Sequence, residues 1–309
     1  MAINLETCKE TISLTFGDCG ENHVGMEKVG ALVNKGSGFS IDDLSYYKSI
    51  LEGIGCECII YNLKDNLVGM DDEDLLAIED AYVLVVKDGL KNILAINKST
   101  LNDLYSEMNS FEWDRKYFDT RRQKVLNKHA RANVCFGTNS IEPDYENKKG
   151  RVVGYDSVHA LKFVKESLST MLGEKCDNLI CEGNRYFDLK KCGIGYHGDA
   201  ERRKVVAFRL GESMNLHFNW FQHSSSKGET LKLTLNNGDM YMMSEKAVGH
   251  DWKKTKEGIY TLRHSAGREG SSYLQLKVEK KPEEKKPVEK KPVEKKPEEK
   301  KPEEKKPVE

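Results

Sequence analysis

Features that would place a protein in a membrane or outside the cell are missing from this sequence. No apolar run approaches the roughly 20 residues that a membrane-spanning helix needs, and residues 1–6 (MAINLE) lack the basic and apolar regions of a signal peptide. The eight cysteines include no C-x-x-C pair, which argues against a disulfide framework or a zinc ribbon. We therefore expect a soluble, intracellular monomer with reduced thiols. It would lie in the cytoplasm or nucleus, or in the host cytoplasm if a virus encodes it.

A strong net charge is missing as well, since the formal value is −1. Residues 279–309 contain 12 Lys and 10 Glu, which leaves a net charge of about −3 on residues 1–278. Overall charge therefore gives no sign of a nucleic-acid-binding protein. The same tail repeats KKPEE or KKPVE without any aromatic residue. We predict that it is disordered, because it cannot bury enough apolar surface to offset its ordering entropy.

The first 95 residues mix helix and strand patterns. Residues 11–16 (TISLTF) alternate apolar and polar side chains as a half-buried strand does. Ser40 has the chemistry of a helix N-cap, and residues 56–61 and 81–86 are strand-like. We predict a separate small α/β domain over residues 1–95, a second domain over residues 96–278, and the disordered tail over residues 279–309.

The second half of the body is rich in strand patterns. The turn at residues 236–239 (NNGD) strongly favours a hairpin, and we predict that Asp156 caps an amphipathic helix. The predicted strands cover residues 204–210, 214–221, 231–235, 240–244, 259–264 and 272–278. Several short antiparallel strands with candidate metal ligands near their ends indicate an α+β protein whose main domain is a double-sheet jelly roll.

A candidate metal site lies in residues 193–199 (GIGYHGD), where His197 and Asp199 are two residues apart in a strand-like segment. Side chains at this spacing point to the same face of a strand. With a distant histidine they complete the two-histidine, one-carboxylate set that leaves open positions on a non-haem Fe(II) ion. We predict His250 as the third ligand, with His264 as the alternative. Arg263 is suited to bidentate capture of a carboxylate cosubstrate.

Four segments resemble the AlkB-like branch of the Fe(II)/2-oxoglutarate dioxygenases, over about residues 110–278. They are residues 184–199, 209–218 (RLGESMNLHF), 237–243 (NGDMYMM) and 260–267 (YTLRHSAG). The resemblance is to a little-characterised microbial and viral subgroup. The family's Arg-x-Asn-x-Thr-x-Arg terminus keeps only Thr261 and Arg263 here.

The resemblance implies an iron centre held by His197, Asp199 and His250. It also implies 2-oxoglutarate as cosubstrate, O₂ as oxidant and ascorbate as reductant, with cosubstrate contacts from Asn184, Tyr186, Thr261 and Arg263. The expected activity is oxidative removal of N-methyl groups from nucleobases. Two alternatives are an oxygenase of a protein side chain or small molecule, and a catalytically degenerate binding module.

Residues 115–131 form the most basic stretch of the body, with Tyr117 and Phe118 among the cations. Cations for phosphates and aromatic rings for bases are what a DNA or RNA surface needs. A solvated, partly charge-paired face would have the same composition. The candidate substrate contacts are Arg121, Arg122, Lys128, Arg131 and Glu201, the last of which lies two residues past Asp199.

Overall fold

The computed structural model describes residues 8–276. The prediction of a disordered tail over residues 279–309 falls outside these residues. The strands are β1 (Thr11–Gly17), β2 (Cys19–Glu21), β3 (Lys28–Gly30), β4 (Glu57–Asn62), β5 (Tyr82–Lys87), β6 (Lys116–Asp119), β7 (Lys124–Asn127), β8 (Ala132–Gly137), β9 (Val152–Gly154), β10 (Ile180–Tyr186), β11 (Gly193–His197), β12 (Val205–Gly211), β13 (Met214–Gln222), β14 (Ser225–Leu235), β15 (Met240–Met243) and β16 (Tyr260–Gly267). The helices are α1 (Ile41–Gly53), α2 (Asp72–Ala77), α3 (Gly89–Ile96), α4 (Leu101–Met108), α5 (His159–Leu172) and α6 (Glu245–Val248).

Eight strands form the large sheet, in the order β4-β5-β15-β12-β1-β10-β8-β9. Strand β1 lies inside this sheet, antiparallel to β10 on one side and to β12 on the other. Strands β4 and β5 extend the same sheet beyond β15. Residues 8–95 therefore belong to the same compact unit as the rest of the described chain. The prediction of a separate domain over residues 1–95 is wrong, because these strands find their partners far along the sequence.

One face of the large sheet is covered by helices. Ile12, Leu14 and Phe16 of β1 belong to an apolar core that also contains buried residues of α1, α3, α4 and α5. The amphipathic pattern of α5 is confirmed, since Leu161, Val164, Leu168 and Leu172 are buried. The helix begins at His159, however, and Asp156 pairs with Lys162 instead of capping it. The predicted cap at Ser40 is confirmed, because its hydroxyl accepts a hydrogen bond from the Asp43 N–H.

The other face of the large sheet packs against a four-stranded antiparallel sheet, ordered β11-β16-β13-β14. Ala207 and Met243 from the large sheet share one apolar cluster with Phe218 from the small sheet. Residues 272–278 were predicted as a strand, but residues 272–274 form a short 3₁₀ turn. The architecture is thus a mixed α+β fold with two facing sheets. No helix within residues 8–276 is long and apolar enough to cross a bilayer.

Candidate metal and ligand pocket

A pocket of about 540 Å³ opens between the two sheets. Ser13 and Thr15 of β1 line it, and so do Glu182, Asn184 and Tyr186 of β10. The polar half of the alternation in β1 therefore faces the pocket, and every residue of this strand is buried. The small sheet contributes Ile194, His197 and His264 to the opposite wall.

A β-bulge in β11 turns His197 toward the pocket. Ile194 pairs with Ala266 and His197 pairs with His264, so three steps along β11 match two steps along β16. In a regular strand, residues three apart point to opposite faces. The extra residue puts both Ile194 and His197 on the pocket side, while Tyr196 packs against Phe221.

Three potential metal ligands meet at the end of β11. The Oδ1 atom of Asp199 lies 3.5 Å from Nε2 of His197 and 3.8 Å from Nε2 of His264. Metal bonds to histidine nitrogen and carboxylate oxygen are about 2.0–2.2 Å long, so one ion can bridge atoms at these separations. Nδ1 of His197 lies 2.9 Å from the Gly195 carbonyl oxygen. A proton on Nδ1 would donate to that oxygen and leave the Nε2 lone pair free for an ion.

His264 completes this group, and His250 does not. Within residues 8–276, one group of three His, Cys, Asp or Glu side chains has its ligand atoms within 4.8 Å of one another, and it consists of His197, Asp199 and His264. His250 follows α6, where the Val248 carbonyl accepts a hydrogen bond from the Asp199 N–H (3.0 Å). The backbone of the segment before His250 thus holds the loop that contains Asp199 in place. The choice of His250 as third ligand is corrected to the alternative, His264.

The electrostatics keep the ligands in their metal-binding forms. Burial opposes ionisation of Asp199, but the Arg202 guanidinium and the His197 side chain outweigh it and hold the pKa of Asp199 well below its usual range. Burial, and then the neighbouring His197, lowers the pKa of His264 to about 3. The carboxylate is therefore ionised and the His264 imidazole neutral at pH 7, as a divalent cation requires.

Arg202 joins the site to a buried cluster of acids. Its Nη2 atom lies 2.7 Å from Oε2 of Glu182 and 3.2 Å from Oε1 of Glu201, and its Nε lies 3.8 Å from Oδ2 of Asp199. Asp199 thus directs one oxygen to the histidines and the other to Arg202. The nearby acids hold the pKa of Arg202 above its usual range although burial opposes this.

We expect Gly198→Ala to disrupt the site. A methyl group at residue 198 would collide with the Gly249 carbonyl oxygen and the Trp252 side chain. Overpacking of this kind costs about 1–3 kcal/mol, so the melting temperature should fall by several degrees and Co²⁺ should bind more weakly. Gly195→Ala is the matched control, because a Cβ there meets no atom within 4 Å. Equal melting temperatures and Co²⁺ affinities for the two variants would contradict this.

Arg209 is an unpaired cation buried in the same pocket. It is 1% exposed, and among the described residues its Nε has no hydrogen-bond partner. The Sδ atom of Met214 is 3.7 Å from Nη1, which is a weak interaction. Burial lowers the pKa of Arg209, and burial raises the pKa of Tyr241, which also lines the pocket, to about 12. Asp239 attracts this guanidinium from a distance, but within the described residues no carboxylate forms an ion pair with it. A buried guanidinium without an ion-pair partner is costly, so this end of the pocket suits a carboxylate ligand.

Arg263 and Thr261 do not line the pocket. Arg263 is next to His264 in β16, and consecutive residues of a strand point to opposite faces. The Arg263 guanidinium lies 4.2 Å from the centre of the Phe221 ring and donates to the His223 carbonyl oxygen (2.7 Å). The prediction that Arg263 and Thr261 contact the cosubstrate is corrected, because β16 turns both side chains away from the pocket.

Asn184 and Tyr186, the other two predicted cosubstrate contacts in β10, line the pocket. The Asn184 side-chain oxygen accepts a hydrogen bond from Nε of Arg131 (2.7 Å) and another from the Asn133 amide (2.5 Å). Asn184 therefore positions Arg131. Tyr186 is 4% exposed, and burial raises the pKa of its hydroxyl.

The predicted substrate residues occupy three environments. Arg121 and Arg122 are exposed in the turn between β6 and β7, and Arg131 and Glu201 line the pocket. Lys128 is 8% exposed, and its ammonium donates to the Asn22 carbonyl (2.9 Å) and to the Asn133 side chain (3.1 Å). Burial lowers its pKa to about 8. Its assignment as a substrate contact is corrected, because Lys128 is committed to internal contacts.

Sequence reasoning missed Arg209, Arg202 and Glu182 as site residues. Arg209 continues the alternation of Val205 and Ala207, which are both buried on the inner face of β12. A cation on the same strand face as buried apolar residues could have indicated this site residue from the sequence. Glu182 and Arg202 gave no comparable signal, because their partnership depends on contacts that are distant in sequence.

Comparison with known proteins gives one informative relative. No protein-family model matches the chain. The chain is 44% identical over 260 residues to the uncharacterized protein R156 of Acanthamoeba polyphaga mimivirus, and the match covers 84% of this chain and 96% of the viral protein. The sequence similarity therefore extends over nearly the whole length of the viral protein.

Proposed function

The chain belongs to the family of this mimivirus protein, and we propose that it is an Fe(II)- and 2-oxoglutarate-dependent dioxygenase that hydroxylates a C–H bond. One observation carries the proposal. A single pocket contains a two-histidine, one-carboxylate group and a buried guanidinium that has no ion-pair partner among the described residues. The first feature suits a ferrous ion with open positions, and the second suits an anionic cosubstrate.

The residues present fit both groups. His197, Asp199 and His264 would hold the ion through Nε2, Oδ1 and Nε2. Arg209 would bind the distal carboxylate of 2-oxoglutarate, with the hydroxyl-bearing residues Tyr186, Tyr241 and Ser13 beside it in the pocket lining. A buried charge-assisted pair is among the stronger polar contacts in proteins, and it would remove the cost of leaving Arg209 unpaired.

The sheet order supports a jelly-roll interpretation of this domain. Strands β10, β1, β12 and β15 are neighbours in the large sheet and face the four strands of the small sheet across the pocket. Two facing antiparallel sheets with ligands between them are what a jelly roll provides. In this interpretation the N-terminal strand β1 supplies an interior strand of the oxygenase domain.

The bound ion and cosubstrate would supply an oxidant for C–H bonds. In the balanced reaction, 2-oxoglutarate, O₂ and the substrate methyl group give succinate, CO₂ and a hydroxymethyl group, with one oxygen atom in succinate and one in the new hydroxyl. A hydroxymethyl group on nitrogen breaks down to N–H and formaldehyde. The protein would orient the reactants and exclude water, and the apolar residues Val205, Leu216 and Met243 line the pocket for this purpose.

We propose N-methylated nucleobases in DNA or RNA as the substrate. Cations surround the pocket, since Lys28, Arg131 and Lys253 line it and Arg121 and Arg122 are exposed nearby on the β6–β7 hairpin. Glu201 also lines the pocket, and burial, followed by Asp199, raises its pKa. Its carboxyl group is placed to contact a polar edge of the substrate.

Succinate formation tests the oxygenase. Purified protein with Fe(II), 2-oxoglutarate, O₂ and ascorbate should form succinate, and EDTA should abolish the signal. Absence of succinate under these conditions, with no Fe(II)-dependent binding of 2-oxoglutarate, would leave a binding module as the correct description.

Formaldehyde release from a methylated oligonucleotide tests the substrate. We expect the double substitution Arg121→Glu/Arg122→Glu to raise the KM for the oligonucleotide about tenfold at low salt and to reduce the slope of log K against log[salt] by about 1.4, because each phosphate contact on a single strand contributes about 0.7. Lys91→Glu/Lys98→Glu makes the same charge change at exposed residues of the helical side and should leave KM unchanged. If methylated peptides or small molecules release formaldehyde and oligonucleotides do not, the nucleobase assignment fails and the oxygenase stands.

A further inference from the structure

The N-terminal residues build part of the pocket mouth. The β2–β3 hairpin contributes Glu21, His23, Val24 and Lys28 to the lining. Two contacts fix this hairpin, one to the basic stretch of residues 115–131 and one to Lys148. The Phe118 N–H donates to Sδ of Met26 (3.3 Å), and the Glu27 N–H donates to the Lys148 carbonyl oxygen (2.8 Å). The mouth therefore combines parts of the chain that are about 100 residues apart.

His23 lies flat on Tyr117 of β6. Their ring centroids are 3.6 Å apart and their planes differ by 20°. Burial lowers the pKa of His23 to about 4, so the imidazole is neutral at pH 7. A neutral ring backed by a second ring is a rigid, flat surface, and His23 belongs to the pocket wall. Its remaining face is suited to stacking against another flat ring.

Fixed and flexible cations surround this surface. Nε of Arg131 is held by the Asn184 side-chain oxygen (2.7 Å), so its guanidinium is positioned at the pocket wall. Lys28 and Lys253 are exposed lysines that also line the pocket. Trp252, with the Lys253 ammonium 5.3 Å from its ring centre, lies at the same opening. An aromatic surface that shares the pocket lining with three cations matches the chemistry of a nucleotide, which has a flat base and an anionic phosphate.

We propose that His23, backed by Tyr117, is the stacking surface for one base of a single-stranded nucleic acid, and that Lys28, Arg131 and Lys253 bind the adjacent phosphates. The proposal rests on the proposed function for the identity of the pocket. It assigns substrate recognition to the N-terminal hairpin, a part of the chain outside the region that resembles the dioxygenases. Stacking is independent of base identity, so this surface would select flat rings in general and Glu201 would act on their edges.

The test measures binding and stacking together. The probe is a short single-stranded oligonucleotide with one central 2-aminopurine, whose fluorescence is quenched when the base stacks. We expect His23→Ala to raise the Kd about tenfold, or about 1.4 kcal/mol, and to remove the quenching. His23→Phe keeps a flat ring without ring nitrogens and should keep both Kd and quenching within about threefold of the wild type. His159→Ala, at an exposed histidine at the start of α5, is the matched control and should change neither.

The variants separate stacking from other roles. If His23→Phe fails as His23→Ala does, the histidine acts through its nitrogens and the stacking proposal is overturned. Equal binding by all variants, or no binding of the oligonucleotide to the wild type, also overturns it. Tyr117→Leu should weaken the quenching, although Tyr117 itself does not line the pocket. Unchanged quenching in this variant would show that Tyr117 does not support His23.

Failure here is distinguishable from failure of the oxygenase. Succinate formation without added substrate needs the metal, 2-oxoglutarate and O₂ but no oligonucleotide, so it is measured on the wild-type protein independently of oligonucleotide binding. Loss of oligonucleotide binding with intact succinate formation in the wild type would reject the nucleic-acid surface alone. Oligonucleotide binding without succinate formation would reject the oxygenase alone.

Discussion

His264→Ala should abolish iron-dependent succinate formation, and His250→Ala should leave it within about twofold of the wild type. His264 Nε2 lies 3.8 Å from the Asp199 carboxylate, whereas His250 is outside the ligand cluster. Loss of residues that merely orient metal ligands costs about 10–100-fold in affinity or activity, so loss of a ligand should cost more than 100-fold. Succinate assays and Co²⁺ absorption titrations of the two variants measure the difference.

His197→Ala and Asp199→Ala should match His264→Ala in both assays. Circular dichroism would establish that the variants remain folded. An active His264→Ala variant, or an inactive but folded His250→Ala variant, would show that the iron is held elsewhere.

Arg209→Met should raise the KM for 2-oxoglutarate at least about 100-fold, because breaking a buried ion pair costs about 3–5 kcal/mol. The same substitution should raise the melting temperature of the metal-free protein by a few degrees. Methionine has a similar reach, and it replaces a buried cation whose Nε has no hydrogen-bond partner in the described residues. Weaker binding of 2-oxoglutarate together with a higher melting temperature distinguishes a ligand-binding cation from a structural one.

Arg263→Met is the matched control for this experiment. Arg263 lies over Phe221 on the far side of β16, so its loss should change the KM for 2-oxoglutarate by less than about threefold. Differential scanning fluorimetry with and without 2-oxoglutarate gives a second readout, in which Arg209→Met should show no ligand-induced stabilisation. A large KM effect at Arg263 with none at Arg209 would reverse the assignment.

The part of the site that could be predicted from sequence is the part encoded locally. His197 and Asp199 are two residues apart, so they lie close together even though β11 ends at His197 and Asp199 lies in the loop that follows. The third ligand depends on which strand pairs with β11, and that pairing of His197 with His264 joins residues far apart in sequence. The sequence also allowed one further inference. Arg263 and His264 are consecutive, and consecutive residues of a strand point to opposite faces. Only one of the two side chains can therefore face the pocket.

The same limit applies to the fold. The alternation in residues 11–16 correctly predicted a strand, but the polar residues Ser13 and Thr15 face a pocket and not solvent. Periodicity shows that one face differs chemically from the other, and it does not show what each face meets. The domain boundary near residue 95 failed for this reason. Strand patterns in the second half were largely recovered, because the alternation is local. The hairpin predicted at residues 236–239 is wrong, because this turn joins β14 of the small sheet to β15 of the large sheet and the two strands do not pair.

Strand β1 has a consequence for biosynthesis. Thr11 pairs with Tyr186 and with Gly211, so the ribosome makes this strand first and its two neighbours long afterwards. At about 5–20 residues per second, the nascent strand waits roughly 10 to 35 seconds for a partner, with its backbone donors and acceptors unpaired. Closing such long loops slows the search for native pairings. The nascent chain therefore exposes an apolar, pairing-competent segment during translation, and we expect chaperone binding early in synthesis to increase the yield of folded protein.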